Sequence, residues 1–132
     1  MKLLLDTHIF IWWVDQPEKL SPAALSALED ETNDLLLSVA SVWEMQIKIQ
    51  LSRLKLSLPL KELVSNQQET NDLTILPVAL THDLTLDALP FHHKDPFDRL
   101  LIAQSIEEGV RLSVQILSSL PIRLSCCNDV FR

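Results

Sequence analysis

Lys2-Leu3-Leu4-Leu5-Asp6 is an apolar run closed by an acid, and Leu35-Leu36-Leu37 repeats the theme after the break at Asn33-Asp34. Runs this short read as strands, and Leu35-Leu36-Leu37 as a strand buried on both faces. The first strand is expected over Lys2 to Asp6, with a short helix following over about His8 to Val14. Ser21-Pro22 opens a second helix, Ser as cap and Pro at the first helical position, expected to run to about Glu31. After Leu35-Leu36-Leu37 a helix carries Ser41-Val42-Trp43-Glu44-Met45. Pro59 opens a helix to about Thr70, Leu73 to Leu76 a third strand, and Pro77 a helix near Val78 to Leu84. Asp95-Pro96-Phe97-Asp98 starts a helix that stops at Gly109, the only glycine. Leu112 to Leu117 and Ile122 to Leu124 look strand-like. Strands alternating with helices predict an α/β fold, a mostly parallel sheet covered on both faces, with no linker to divide it.

The chain has 132 residues, 47% of them apolar. That is one domain with enough apolar side chains for a real core. The longest apolar stretches, Ile9 to Val14 and Leu35 to Val42, fall short of the roughly 20 residues a membrane span needs. With no signal-peptide layout, a soluble cytoplasmic protein with no membrane partner is expected. A single glycine argues against glycine-rich phosphate loops and dinucleotide fingerprints. Adjacent Cys126 and Cys127 suit neither an ordinary disulfide nor a zinc knuckle. The net charge of −7 disfavours long-range attraction to nucleic acid. The stretch from Lys48 through Arg53, Lys55 and Lys61 is nevertheless locally basic, and leaves room for a local phosphate-binding surface.

Three acids fall where such a fold gathers ligands, beyond the carboxyl ends of its strands. Asp6 follows the first strand, Glu44 lies in the helix after the second, and Asp98 sits in the first turn of a later helix. Each has a plainer role. Asp6 or Thr7 can cap the helix that begins near His8. Glu44 can pair with Lys48 one turn on, an exposed pair contributing about 0.2 to 0.5 kcal/mol. Its neighbours Val42, Trp43 and Met45 argue that it is not exposed, and a lone buried carboxylate needs a partner. Asp95 is the better helix cap and Asp98 the better site residue. His8 sits near the site, with a surface or capping role at least as good. His92-His93 is a weak zinc reading, and Trp12, Trp13 and Trp43 read as core or interface anchors.

Four segments, in order, carry a family resemblance: Leu3-Leu4-Leu5-Asp6-Thr7-His8, Ser41-Val42-Trp43-Glu44, Leu89-Pro90-Phe91-His92-His93, and Asp95 through Gln104. The chain resembles the PIN-domain ribonucleases of the VapC toxin type from Met1 to about Gly109. The resemblance implies a three-layer α/β/α domain spanning 1–132, an acidic pocket for Mg²⁺ or Mn²⁺, and endonucleolytic cleavage of RNA. It also implies a VapB-like antitoxin and a homodimer. By motif, Asp6, Glu44 and Asp98 match the family's metal-binding acids, and Thr7 and Asp95 match accessory positions. Carboxylate-held cations of this kind polarise a phosphodiester and acidify a bound water, so no nucleophilic side chain is required.

Residues 110–132 depart from the family pattern. Related chains carry a fourth acid after the glycine-containing turn. Here Arg111-Leu112-Ser113-Val114-Gln115-Ile116-Leu117-Ser118-Ser119 holds none, and no Asp or Glu lies between Glu108 and Asp129. One hypothesis is a local frame shift: if CAG encodes Gln115, the bases across Gln115 and Ile116 contain GAT, an Asp codon. Gene sequencing tests it, and an uninterrupted, confirmed frame would sink it.

Overall fold

The computed structural model describes residues 1–89 and 95–113. Within them the chain runs β1 (Lys2–Leu5), α1 (Thr7–Asp15), a 3₁₀ turn (Pro17–Lys19), α2 (Pro22–Glu29), β2 (Asp34–Ser38) and α3 (Val39–Gln50). It continues through α4 (Leu60–Asn71), β3 (Thr74–Leu76), α5 (Leu80–Thr85), a second 3₁₀ turn (Leu86–Ala88), α6 (Pro96–Glu108) and β4 (Arg111–Ser113). The strands form one sheet in the order β3-β2-β1-β4, and every pairing is parallel. Leu3 lies opposite Leu35 on one side and Arg111 on the other.

The leucine runs explain the layering. Side chains alternate along a strand, so an all-apolar strand feeds two cores. Leu3 and Leu5 join Leu35, Leu37, Phe10 and Met45 on one face. Leu4 joins Leu101, Ile102 and Leu112 on the other, with Leu36 and Leu76 packed against them. Each fully buried leucine contributes about 1.5–3 kcal/mol relative to exposure, so Leu3, Leu4 and Leu5, all 2% exposed or less, hold β1 between its neighbours. Helix α6 covers the second face. Among the described residues no helix is long and apolar enough to cross a membrane.

Several boundaries shift by a residue or two, each for a local reason. β1 stops at Leu5 because Asp6 turns to cap α1, accepting from the His8 N–H at 3.2 Å. α2 ends at Glu29 rather than Glu31, because Asp30 instead accepts from the backbone and hydroxyl of Thr32 at 2.9 and 2.6 Å. α5 starts at Leu80 rather than Val78, where Nδ1 of buried His82 accepts the Ala79 N–H at 2.9 Å. The Ser21-Pro22 and Asp95-Pro96 starts form as expected, and Gly109 ends α6 in the left-handed region at φ 64°. Trp12 and Trp13 pack against the main core, but Trp43 is 61% exposed and meets only the edge of Phe97, so it is not a core anchor. Of the strand expected over Leu112 to Leu117, the described part is Arg111–Ser113. Ile122 to Leu124, Cys126, Cys127, His92 and His93 lie outside the described residues.

Candidate active site

Chain direction across the sheet reverses between β1 and β4, and Asp6 stands immediately beyond the carboxyl end of β1. In open parallel sheets this switch point is where a crevice forms. α3, entered directly from β2, brings Glu44 to the same end. α6 packs against α3, with the Trp43 and Phe97 rings edge to face at 5.4 Å, and holds Asp98 in its first turn. Asp95 caps α6, accepting from Phe97 N–H at 2.8 Å.

Glu44 is the most constrained of the acids, being only 3% exposed. Thr7 Oγ1 lies 2.8 Å from Glu44 Oε1 and 3.0 Å from Ser41 Oγ. A hydroxyl has one proton and a carboxylate only accepts, so Thr7 donates to Glu44 and Ser41 is left to donate to Thr7. Lys48 Nζ donates to Glu44 Oε2 at 2.8 Å. The plain reading of Glu44 therefore holds in its geometry, since Lys48 is its partner. It does not hold in its setting, because the carboxylate is buried. Thr7 and Ser41 are themselves 1% exposed.

The electrostatics tie the acids together. The Asp98 carboxyl is raised from 3.8 to about 6, chiefly by desolvation, then by the negative charges of Asp95, Asp6 and Glu44. His8 is raised above its ordinary 6.5, first through its polar contact with Asp6, whose Oδ2 lies 3.6 Å from Nδ1. Glu44 also raises His8 and Lys48 lowers it, so all of these groups share one field.

Among the described residues no three His, Cys, Asp or Glu side chains form a ready coordination set. Both oxygens of Glu44 are engaged, by Thr7 and Lys48, and one of Asp6 caps α1. The donor chemistry nonetheless suits a hard divalent cation, since carboxylate oxygens predominate. An ammonium already occupies one of them, and Asp98 titrates as a carboxyl short of positive charge.

The PIN domain family model matches residues 3–113. The chain belongs to the PIN domain family. It is 32% identical over 111 residues to a protein named Ribonuclease VapC22 from Mycobacterium tuberculosis (strain ATCC 25618 / H37Rv), covering 83% of each chain. A similar solved structure is VapBC2 from Rickettsia felis bound to a DNA fragment from their promoter, with a TM-score of 0.64. At 17% identity, over 85% of this chain and 86% of that one, the likeness concerns the fold. The parallel α/β sheet expected from the strand and helix pattern, and the PIN domain implied by the four motifs, are thus the ones found.

The sequence offered Lys48 as an exposed partner of Glu44 and as part of a basic stretch, not as the partner of a buried carboxylate, and it gave Ser41 no role of its own. Ser41, Glu44 and Lys48 stand at i, i+3 and i+7 of one helix, a spacing that marks one face. Thr7 reaches that face across 37 positions, which no local pattern discloses.

Proposed function

We propose that this PIN domain is a metal-dependent endoribonuclease, the toxin of a VapBC-like pair acting in the cytoplasm. Asp6, Glu44 and Asp98 hold Mg²⁺ or Mn²⁺, with Thr7 and Asp95 as accessory residues. The observation that carries the reading is the placing of three acids from three elements at the switch point, with Asp98 raised first by desolvation and then by the charges of Asp95, Asp6 and Glu44. The named ribonuclease relative and the toxin–antitoxin structural neighbour support the substrate class and the partner. A VapB-like antitoxin and a second copy of the chain complete the proposed assembly.

Once bound, the cation supplies charge to the phosphodiester and lowers the pKa of a water. The protein's own residues set the geometry. Thr7 fixes the Glu44 carboxylate through Oε1, and Ser41 fixes Thr7. Asp6 is held by the N-terminus of α1, and Asp98 by the first turn of α6. Lys48 neutralises Glu44, and a divalent ion held by that carboxylate would supply the positive charge in its stead.

A second reading has its own support. With no acid between Glu108 and Asp129 and no ready coordination set among the described residues, the chain would bind its antitoxin without turning over RNA. Cleavage of RNA with Mg²⁺ or Mn²⁺ by the natural chain, Asp6→Asn and Ile116→Asp separates the two. Activity lost in Asp6→Asn supports the enzyme. Activity gained only in Ile116→Asp supports the impaired module. Equal activity in the natural chain and Asp6→Asn would remove metal catalysis from this site.

A further inference from the structure

Beside the acids runs a second surface of opposite charge. A cavity of about 240 Å³ is lined by Lys19, Lys48, Arg53 and Lys55, with His8 and Trp12 among its other walls. The chain has 11 Lys and Arg and a net charge of −7, so four cations in one small groove is a strong local reversal. Lys19, Arg53 and Lys55 are exposed, and among the described residues none has a carboxylate within ion-pair distance. The groove's one acid, Asp15, is already engaged. It accepts from Ser57 N–H at 2.9 Å, and hydrogen bonding by Ser57 holds its carboxyl below the ordinary 3.8.

The groove is built by the backbone rather than left by chance. Ser52 adopts φ 59°, a left-handed conformation that is costly for a residue with a Cβ. That turn folds the chain back at the end of α3, so Arg53 and Leu54 N–H both donate to Lys48 O, at 2.8 and 3.2 Å. The Ser57–Asp15 bond then fastens the segment to α1. Arg53 and Lys55 are thereby brought to a groove whose far wall, Trp12 and Lys19, lies in and just after α1. A neighbouring cavity of about 490 Å³, lined by Glu44, Asp95 and Phe97, shares Lys48 and Arg53 with it. The basic groove thus borders a cavity that holds Glu44 and Asp95, with Lys48 and Arg53 common to both.

We propose that the groove of Lys19, Lys48, Arg53 and Lys55 binds the phosphodiester backbone of single-stranded RNA flanking the point of cleavage. The inference rests on the ribonuclease reading for its substrate. Three cations without a carboxylate partner among the described residues, Lys19, Arg53 and Lys55, beside the Glu44-paired Lys48 suit a polyanion, and an aromatic wall suits an unstacked base. The arrangement also answers an electrostatic difficulty, because an acidic protein repels RNA at long range. The groove supplies local attraction next to carboxylates that would otherwise oppose the strand.

The test is fluorescence anisotropy with a labelled, mixed-sequence RNA of about 12 nucleotides, on the full chain, in EDTA so that no divalent ion supports cleavage. Arg53→Ala/Lys55→Ala is compared with Lys2→Ala/Arg111→Ala, which removes the same charge from exposed positions outside the groove. The groove pair should weaken binding about tenfold and flatten the slope of log affinity against log salt by about 1.4, at about 0.7 per lost phosphate contact. The control pair should leave both unchanged. Equal losses in the two pairs, no loss in either, or displacement by polyglutamate as effective as by unlabelled RNA would each overturn the inference. Circular dichroism and thermal midpoints establish that both variants fold. Cleavage assays with Mn²⁺ separate the two claims. Groove-dependent binding without cleavage defeats the enzyme reading alone, and cleavage with an unaltered KM in the groove pair defeats this one alone.

Discussion

Replacing Asp98 by Asn should stabilise the metal-free protein near neutral pH. The carboxyl rises from 3.8 to about 6. At about 1.4 kcal/mol per pK unit, that is about 3 kcal/mol against the ionised form. Asp98 is half-buried, and solvent screening reduces the figure to about 1–1.5 kcal/mol. Asn also forfeits the favourable charge in the first turn of α6, about 0.3–1 kcal/mol. The net gain is about 0–1.2 kcal/mol at pH 7. The sign follows from linkage: a raised folded pKa contributes stability that is full below 3.8 and is lost as pH rises through about 6. Urea unfolding in EDTA, from pH 4 to pH 8, should therefore show the natural chain losing ground to Asp98→Asn mainly between pH 4 and 6. His8, also raised, acts in the same direction but from 6.5 upward, so it leaves that window clear. Excess Mg²⁺ should reverse the ranking by stabilising the natural chain. An Asp98→Asn variant less stable than the natural chain at pH 7 in EDTA would refute the crowding of negative charge at this site.

Other outcomes follow from single contacts. Thr7→Val removes the donor to Glu44 Oε1 and should cost about 1.5–3 kcal/mol, the range for a hydrogen bond to a charged group, read by urea denaturation. Lys48→Ala leaves buried Glu44 without its cation, and should lower stability in EDTA by about 1–3 kcal/mol. The same change should tighten Mn²⁺ binding in calorimetry, because the ion no longer displaces an ammonium; weaker binding would contradict Lys48 as a competitor. Gly109→Ala meets no steric neighbour but must hold φ 64°, so thermal unfolding should report a loss of about 1 kcal/mol from backbone alone.

Strands and helix starts were legible because their determinants are local. Leu3-Leu4-Leu5 and Leu35-Leu36-Leu37 need two apolar faces wherever they go, and Ser21-Pro22 and Asp95-Pro96 cap helices with their own side chains. The end of α2 was not legible, because Asp30 binds Thr32 instead of continuing the helix. For Trp43 the sequence left core and interface open; α3 turns that position outward, toward Phe97, which removes the core role. At the site, the placing of the acids could be anticipated from strand ends. The Thr7–Glu44 bond, the desolvation of Asp98 and the turn at Ser52 arise only when distant segments meet.

The strand order also carries a timetable. β1 lies between β2 and β4, and the registers place Leu3 opposite Leu35 and Arg111, sequence separations of 32 and 108. Closing the longer loop costs only about 1 kcal/mol more in chain entropy, so the difference matters in time rather than in energy. During synthesis at roughly 5–20 residues per second, β1 and β2 can pair seconds before α6 and β4 exist. The second core, and with it the positioning of Asp98, waits for the stretch that ends at Ser113. A nascent chain therefore holds Asp6 and Glu44 without their third partner until most of the described fold has been made, which delays the acidic site until late in translation.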